Sequence, residues 1–251
     1  MKKNKIQLGV NIDHIATLRQ VRGATTPYPD LLKYARIAIR SGASQITIHL
    51  REDRRHIQLN DLMVLSQAKL PLNLEMAATK EMVALSIKYK PHWVCLVPEK
   101  RQELTTEGGL DVSKMKKRLG PMIKKIQKSG IKVSLFIAPN LKQVNAAHDL
   151  GVEAVEFHTG TWVLAEGVKR KQEWAQLYEA AVFADELGLR VHAGHGLDYE
   201  STKEICRLPY LQEVNIGHSL VCYALDDGFP SAIKKMKKIL EAASKTVQTR
   251  R

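Results

Sequence analysis

The chain has 251 residues, 44% of them hydrophobic and 26% charged, a composition too apolar for a disordered protein and a length that suits one α/β barrel as well as two smaller domains. Lysine and arginine outnumber acidic residues 39 to 26, but much of the excess lies in "KMKKRLGPMIKKIQKSG", "SAIKKMKKILEAASK" and "TVQTRR", on the solvent side of amphipathic helices and without a basic-aromatic recognition motif, so no nucleic-acid partner is expected. No window approaches the ~18 apolar residues of a membrane-spanning helix, and the basic start lacks a long apolar stretch with a small-residue cleavage site, which together predict a cytoplasmic protein with no membrane partner.

The first β-type run, "IQLGVNI" (6–12), ends in Asn11, Asp13 and His14. An irregular Gly/Pro loop, "RGATTPYPD" (22–30), follows and carries Arg22; then comes the helical period of "DLLKYARIAIRSG". "QITIHL" (45–50) ends in His49 and Arg51 and leads into the charge mixture "LREDRRH", which closes on His56. "LPLNLEM" (70–76) carries Glu75, helix "TKEMVALSIKYK" comes next, and "WVCLVP" (93–98) ends at Pro98, Glu99 and Lys100. The interval after it is longer than one helix needs, which predicts an extra element or a lid. "KVSLFIA" (132–138), helix "LKQVNAAHDLG" and "AVEFHT" (154–159), with His158, Thr159 and Gly160, precede a second long interval that contains "QEWAQLYEAAVFADELG". "LRVHAG" (189–194) ends in Gly194, His195 and Gly196, and "EVNIGH" (213–218) in Gly217 and His218.

Eight Val/Ile/Leu-rich runs alternating with helices predict an α/β fold, a (β/α)₈ TIM barrel with additional helices; a doubly wound open sheet is the competitor. With no linker or low-complexity tract between units, residues 1–251 read as a single domain. The cysteines, Cys95, Cys206 and Cys222, form no CxxC pair and are expected as small buried hydrophobes rather than disulfides or zinc ligands.

A barrel keeps its functional groups at the C-terminal ends of its strands. Five of the nine histidines fall there, around Glu75. A single strand-end histidine is more often a hydrogen-bonded core or rim residue than a catalyst, while for Glu75 an acid/base role is favoured over a structural ion pair. Together, imidazoles and a desolvated carboxyl tuned near neutrality form a proton-transfer set. The glycines of "HAGHGL" and "NIGHS" suit phosphate binding through backbone N–H groups, and Arg51 and Arg22 suit a second anion. The absence of His-x-His and HExxH spacing predicts no metal.

The stretches "GVNIDHIATLRQVRG", "ITIHLREDRRHI", "NLEMA", "CLVPEKRQELTTEGGLD", "HTG", "AGHGL" and "NIGHSLV" together resemble the pyridoxine 5′-phosphate synthase (PdxJ) family of vitamin B6 biosynthesis, in register from about residue 8 to 240. The resemblance implies a (β/α)₈ barrel assembled as a homo-octamer. It would condense 1-deoxy-D-xylulose 5-phosphate with 3-amino-2-oxopropyl phosphate, using no cofactor. By the same resemblance His49 and Glu75 are proton acceptors and His195 is the proton donor. Asn11, Gly196, Gly217 and His218 would hold the aminoketone phosphate, and Asp13, His14, Arg22, Arg51, His56 and Thr105 the deoxyxylulose phosphate side or its lid, formed by "TTEGGLD". Two departures stand out: Cys222-Tyr223 occupies the place of a usual Gly-Arg pair, and "RGATTPYPD" is one residue longer than the common form. Competing readings are another sugar-phosphate aldolase or isomerase, which would want a mouth lysine that only Lys100 approaches, and a basic nucleic-acid-binding protein.

Overall fold

In the computed structural model, which describes residues 5–23, 25–105 and 108–246, the eight runs pair edge to edge, all parallel, and the last returns to the first. The strands are β1 (Gln7–Asn11), β2 (Gln45–His49), β3 (Leu72–Met76), β4 (Trp93–Leu96), β5 (Lys132–Ile137), β6 (Ala154–His158), β7 (Arg190–Gly194) and β8 (Leu211–Ile216). Pairing of Gln7 with Glu213 and of Val10 with Ile216 closes the barrel and rules out the open sheet. The order of helices is α1 (Asp13–Gln20), α2 (Leu31–Arg40), α3 (Leu59–Gln67), α4 (Lys80–Tyr89), α5 (Val112–Gln127), α6 (Leu141–Asp149), α7 (Gly160–Leu164), α8 (Gly167–Glu186), α9 (Tyr199–Ile205), α10 (His218–Asp227) and α11 (Phe229–Thr246). Among the described residues no helix is long and apolar enough to cross a membrane.

Strand alternation splits each run between two faces. One parity, including Leu8, Val10, Ile46, Ile48, Leu72, Leu74, Val94, Leu135, Phe157 and Val214, is fully buried or nearly so against the helices and forms the apolar layer. The other parity faces the lumen and is largely polar: Thr47, Asn73, Ser134, Glu156, His192, Glu213 and Asn215 are all buried. Glycine makes room for this polar column. A Cβ on Gly9 would fall 1.8 Å from Asn215 Oδ1, so its absence lets the Thr47 hydroxyl donate to Asn215 Oδ1 across β1 at 3.0 Å. Asn215 Nδ2 in turn donates to Glu156 at 2.7 Å, and Gln45 donates to Glu213 at 2.6 Å.

Helix starts follow local chemistry. Asp30, Thr79, Asp111, Asn140 and Asp198 each accept a first-turn N–H through the side chain. The glycines that close three of the quoted helical stretches, Gly42, Gly151 and Gly188, adopt positive φ. Strand ends agree with the sequence expectation to within two residues. One correction concerns the first unit: α1 begins directly after β1, so Asp13 and His14 belong to a helical first turn rather than to a strand end. Bidentate bonds of 2.7 and 2.6 Å from Arg19 to Asp61 hold α1 to α3. A second correction concerns Cys222, which is exposed on α10 while Cys95 and Cys206 are buried. Its neighbour Tyr223 stacks on Tyr199 at 4.1 Å, and the Tyr199 hydroxyl donates to the Ala232 carbonyl; the departure at these positions is therefore built into the packing of the last helices.

The long interval after β4 holds a 3₁₀ turn (Arg101–Glu103) and a small loop in which Leu104 bridges Leu110. Of "TTEGGLD", residues Thr106 and Glu107 lie outside the described residues. Leu110 donates its N–H to Phe136 O at 2.8 Å, which docks the loop on β5. Gly109 makes that approach feasible, because a Cβ there would sit 2.2 Å from the backbone N of Ala138. Gly109→Ala should therefore cost roughly 1–3 kcal/mol of stability through backbone overpacking and expose the loop to protease; an unchanged melting curve and digestion pattern would refute the docking argument. The interval after β6 is likewise split, between α7 and α8, and the tail residues 247–251 of "TVQTRR" lie outside the described residues.

Candidate active site

The strand ends open into a cavity of about 670 Å³ lined by residues from every side of the barrel. Parallel register sets His49 beside Glu75 on β2 and β3. His49 Nδ1 lies 3.9 Å from Glu75 Oε2, and on its other side Nε2 lies 2.9 Å from Glu99 Oε1. Asp13, only 6% exposed, sits beneath them and ties β1 to β2. Its carboxylate accepts the His49 backbone N–H and an Asn11 Nδ2 proton, each at 2.8 Å, while Asn11 Oδ1 accepts the Asp13 N–H at 2.8 Å.

Burial pushes the Glu75 carboxyl well above the usual carboxylate range, and the nearby acids Glu156 and Asp13 add to the rise. The same effect lifts Asp13 to about 6, against the opposing pull of the His49 N–H and charge, Asn11 and Arg51. Deeper in the lumen, burial and then Glu213 raise Glu156 to about 8, moderated by the Asn215 hydrogen bond. A protonated carboxyl near neutral pH can donate as well as accept, which a solvated glutamate cannot.

Across the mouth, the His158 and His195 rings stack at 4.9 Å, and Phe136 meets His158 edge-on at 5.5 Å. Burial lowers the pKa of both imidazoles, with His195 helping to bring His158 to about 4. His195 and Gly196 both have positive φ, 77° and 82°, a conformation that costs a non-glycine residue roughly 1–2 kcal/mol. The Thr159 hydroxyl, 2.8 Å from Gly194 O and 2.6 Å from His195 O, joins the end of β6 to this turn. At Gly160 a Cβ would come within 2.9 Å of both rings, so only glycine leaves the stacked pair undisturbed.

The third side is formed by a glycine turn and a helix start. Gly217 packs so closely on Asn11 that a Cβ would lie 2.9 Å from the Asn11 Cβ. The helix α10 that follows has no side-chain N-cap, and its first residue, His218, lines the cavity. Uncapped N–H groups and the positive end of the helix dipole suit a phosphate there. His14 meets His218 edge-on at 5.0 Å, and burial followed by His218 lowers its pKa.

Of the residues expected from sequence, Asn11, His14, His49, Arg51, Glu75, His195, Gly196, Gly217 and His218 line this one cavity. Asp13 supports it from below. His56 stands behind His49, ring centres 6.1 Å apart, with Nδ1 accepting the Ile57 N–H. Thr105 is at the base of the loop, where its hydroxyl accepts the Gly109 N–H at 3.2 Å; the flanking Leu104 and Gly108 reach the cavity. Arg22 is exposed after α1 and lies outside the cavity lining, as the extra residue in its loop foreshadows.

Sequence reasoning gave no role to Glu156, Asn215 or Phe136, which also line the cavity; an acid or amide at an alternate position of an apolar run was the available signal. Asp13, His49 and Glu75 each offer a ligand atom within 4.8 Å of the others, an arrangement that motif spacing did not anticipate. The Asp13 oxygens, however, are already acceptors for His49 and Asn11.

The family model described as pyridoxal phosphate biosynthesis protein PdxJ matches residues 8–242. A pyridoxine 5′-phosphate synthase of Bdellovibrio bacteriovorus is 62% identical over 240 residues, covering 95% of this chain and all of that protein. One from Magnetococcus marinus is 51% identical over 243 residues, covering 96% and 99% of the two chains. Among solved structures, KGPDC from Streptococcus mutans superposes with a TM-score of 0.66 at 12% identity over 96% of this chain and 99% of that one, a likeness of fold alone. On the strength of the full-length match, the chain belongs to the PdxJ family of pyridoxal phosphate biosynthesis proteins.

Proposed function

We propose that the protein is a pyridoxine 5′-phosphate synthase, condensing 1-deoxy-D-xylulose 5-phosphate with 3-amino-2-oxopropyl phosphate to pyridoxine 5′-phosphate, inorganic phosphate and water. The observation that carries this reading is the convergence of Glu75, whose pKa burial raises, His49 and the stacked His158–His195 pair on one cavity edged by the glycine turn and helix end that suit phosphate. Imine formation, phosphate loss from an enamine, dehydration and a final aromatising deprotonation are all proton transfers beside carbonyl-derived carbons. His49 and Glu75 would accept these protons and His195 donate. Gly196, Gly217 and His218, with Asn11, would hold the aminoketone phosphate; Arg51, His14 and His56, with Thr105 on the lid, would serve the other substrate, and Arg22 joins them only if its loop moves. Such chemistry calls for no redox cofactor or electrophilic metal. The reading extends to a cytoplasmic homo-octamer, as family resemblance implies.

A Schiff-base aldolase is disfavoured because no lysine lines the cavity among the described residues, and Lys100 is exposed beside Glu52, 3.7 Å away. The basic face as a nucleic-acid site is disfavoured by the helix-face placement of its charge. The test is to treat the protein with chelator, add both substrates, and follow pyridoxine 5′-phosphate by absorbance and mass. Product is expected. Its absence from the complete mixture would refute the assignment, and activity restored only by a divalent cation would make Asp13, His49 and Glu75 a metal site.

A further inference from the structure

One carboxylate at the mouth has no role in the chemistry above. Glu99 follows β4, with a side chain only 4% exposed, and it lies on the face of His49 opposite Glu75. Its Oε2 accepts the Glu52 N–H at 2.9 Å. Its own N–H and that of Lys100 donate to Glu103 Oε2 at 3.2 and 3.3 Å. Glu103 is buried and takes an Arg118 guanidinium at 3.1 Å, and Arg118 also donates to Ala78 O at 2.8 Å. Glu99 is thus fixed to α5 and the end of β3 through a chain of bonds rather than held by His49 alone.

An imidazole nitrogen 2.9 Å from a carboxylate oxygen is a donor when the acid is ionised, since the carboxylate offers only lone pairs. That places the neutral ring's proton on Nε2 and leaves Nδ1 as a lone pair toward Glu75, the order of groups expected for a carboxylate-oriented base. We propose that Glu99 is a positioning residue for this site: by accepting the Nε2 proton of His49, it fixes the tautomer whose Nδ1 faces Glu75. The use made of that lone pair rests on the proposed reaction; the tautomer itself does not.

The groups around His49 are consistent with this assignment. Glu75 comes from β3 and Glu99 from beyond β4, the His56 ring stands 6.1 Å away, the Arg51 charge acts on Glu99 from the β2–α3 loop, and Asp13 accepts the His49 backbone N–H with its charge near the ring. Burial raises the Glu99 carboxyl, but the His49 hydrogen bond, the Glu52 N–H and the His49 and Arg51 charges outweigh it and hold Glu99 below the usual range, ionised. The ring thus lies between an ionised Glu99 and a Glu75 carboxyl whose pKa burial raises, with Nε2–H directed at Glu99 and Nδ1 facing Glu75 at 3.9 Å.

Long-range ¹H–¹⁵N spectra of the histidine-labelled full chain test this directly. Wild type should show His49 as the Nε2–H tautomer; a dominant Nδ1–H form would overturn the proposal. Glu99→Ala should mix the tautomers and lower kcat roughly 10–100-fold, a part of the 10²–10⁴ that a positioned acid/base supplies, with KM little changed, and Glu99→Asp should recover part of the loss. Wild-type kcat with an unchanged spectrum in Glu99→Ala would overturn it. Glu99→Met, which keeps most of the volume but offers no oxygen acceptor, replaces alanine if that variant does not fold: mixed tautomers with reduced kcat at unchanged KM support the role, and an unchanged Nε2–H spectrum with wild-type kcat overturns it. An Nε2–H tautomer in a protein that makes no product would refute the reaction assigned above and leave this assignment standing.

Discussion

Glu75→Gln should lower kcat by about 10²–10⁴-fold, the range a positioned general acid/base contributes, without unfolding the protein. Glutamine matches the shape of a neutral carboxyl, the form that burial, Glu156 and Asp13 favour at Glu75, so the fold loses little and is spared the cost of taking up a proton above the unfolded pKa. What it loses is a titratable proton beside His49. Because glutamine still hydrogen-bonds, KM should change little, and the melting temperature should equal or exceed that of wild type. His195→Asn should behave similarly, since the φ of 77° at that position is tolerated by asparagine better than by most residues. A folded Glu75→Gln protein with wild-type kcat would remove Glu75 from the mechanism and leave it a neutral wall residue.

The barrel was legible because its two determinants are local. Runs such as "QITIHL" and "KVSLFIA" carry the apolar parity that packs on helices, and glycines such as Gly151 and Gly188 end the helices between them. Rim membership followed from the same bookkeeping, since a parallel barrel puts every strand's last residues on one edge. The rest depends on distances across the barrel, which spacing does not encode. Glu156 and Asn215 are 59 residues apart, yet bonded, and each reads in isolation as a stray polar residue in a strand. Glu99 was visible as the residue after a strand, but its contact with His49 requires β2, β3 and β4 to be adjacent and the loop beyond to be anchored by Glu103. Arg22 shows the opposite case. Its residue type suits an anion, whereas the loop that carries it leaves it in solvent.

The polar lumen makes a second large effect testable. Glu156 titrates at about 8 in the folded chain against 4.5 for a free glutamate, so the native state holds this proton more tightly than the unfolded state. The resulting stabilisation is fully present below about 4.5 and is lost as pH rises through about 8; a shift of that size corresponds to roughly 4–5 kcal/mol across the window at most. Glu156→Gln cannot ionise, while its amide oxygen can still accept the Asn215 Nδ2 proton that Glu156 takes at 2.7 Å. Urea midpoints of the wild type should therefore fall as pH is raised from about 5 to about 8.5, and those of Glu156→Gln should fall less steeply, keeping only the slope that Glu75 and Asp13 contribute. The same change removes one of the two charges that lift Glu75, so the acid limb of the Glu75-dependent rate should move to lower pH. Parallel stability slopes in the two proteins would mean that Glu156 is solvated or already ionised in the native lumen rather than held protonated there.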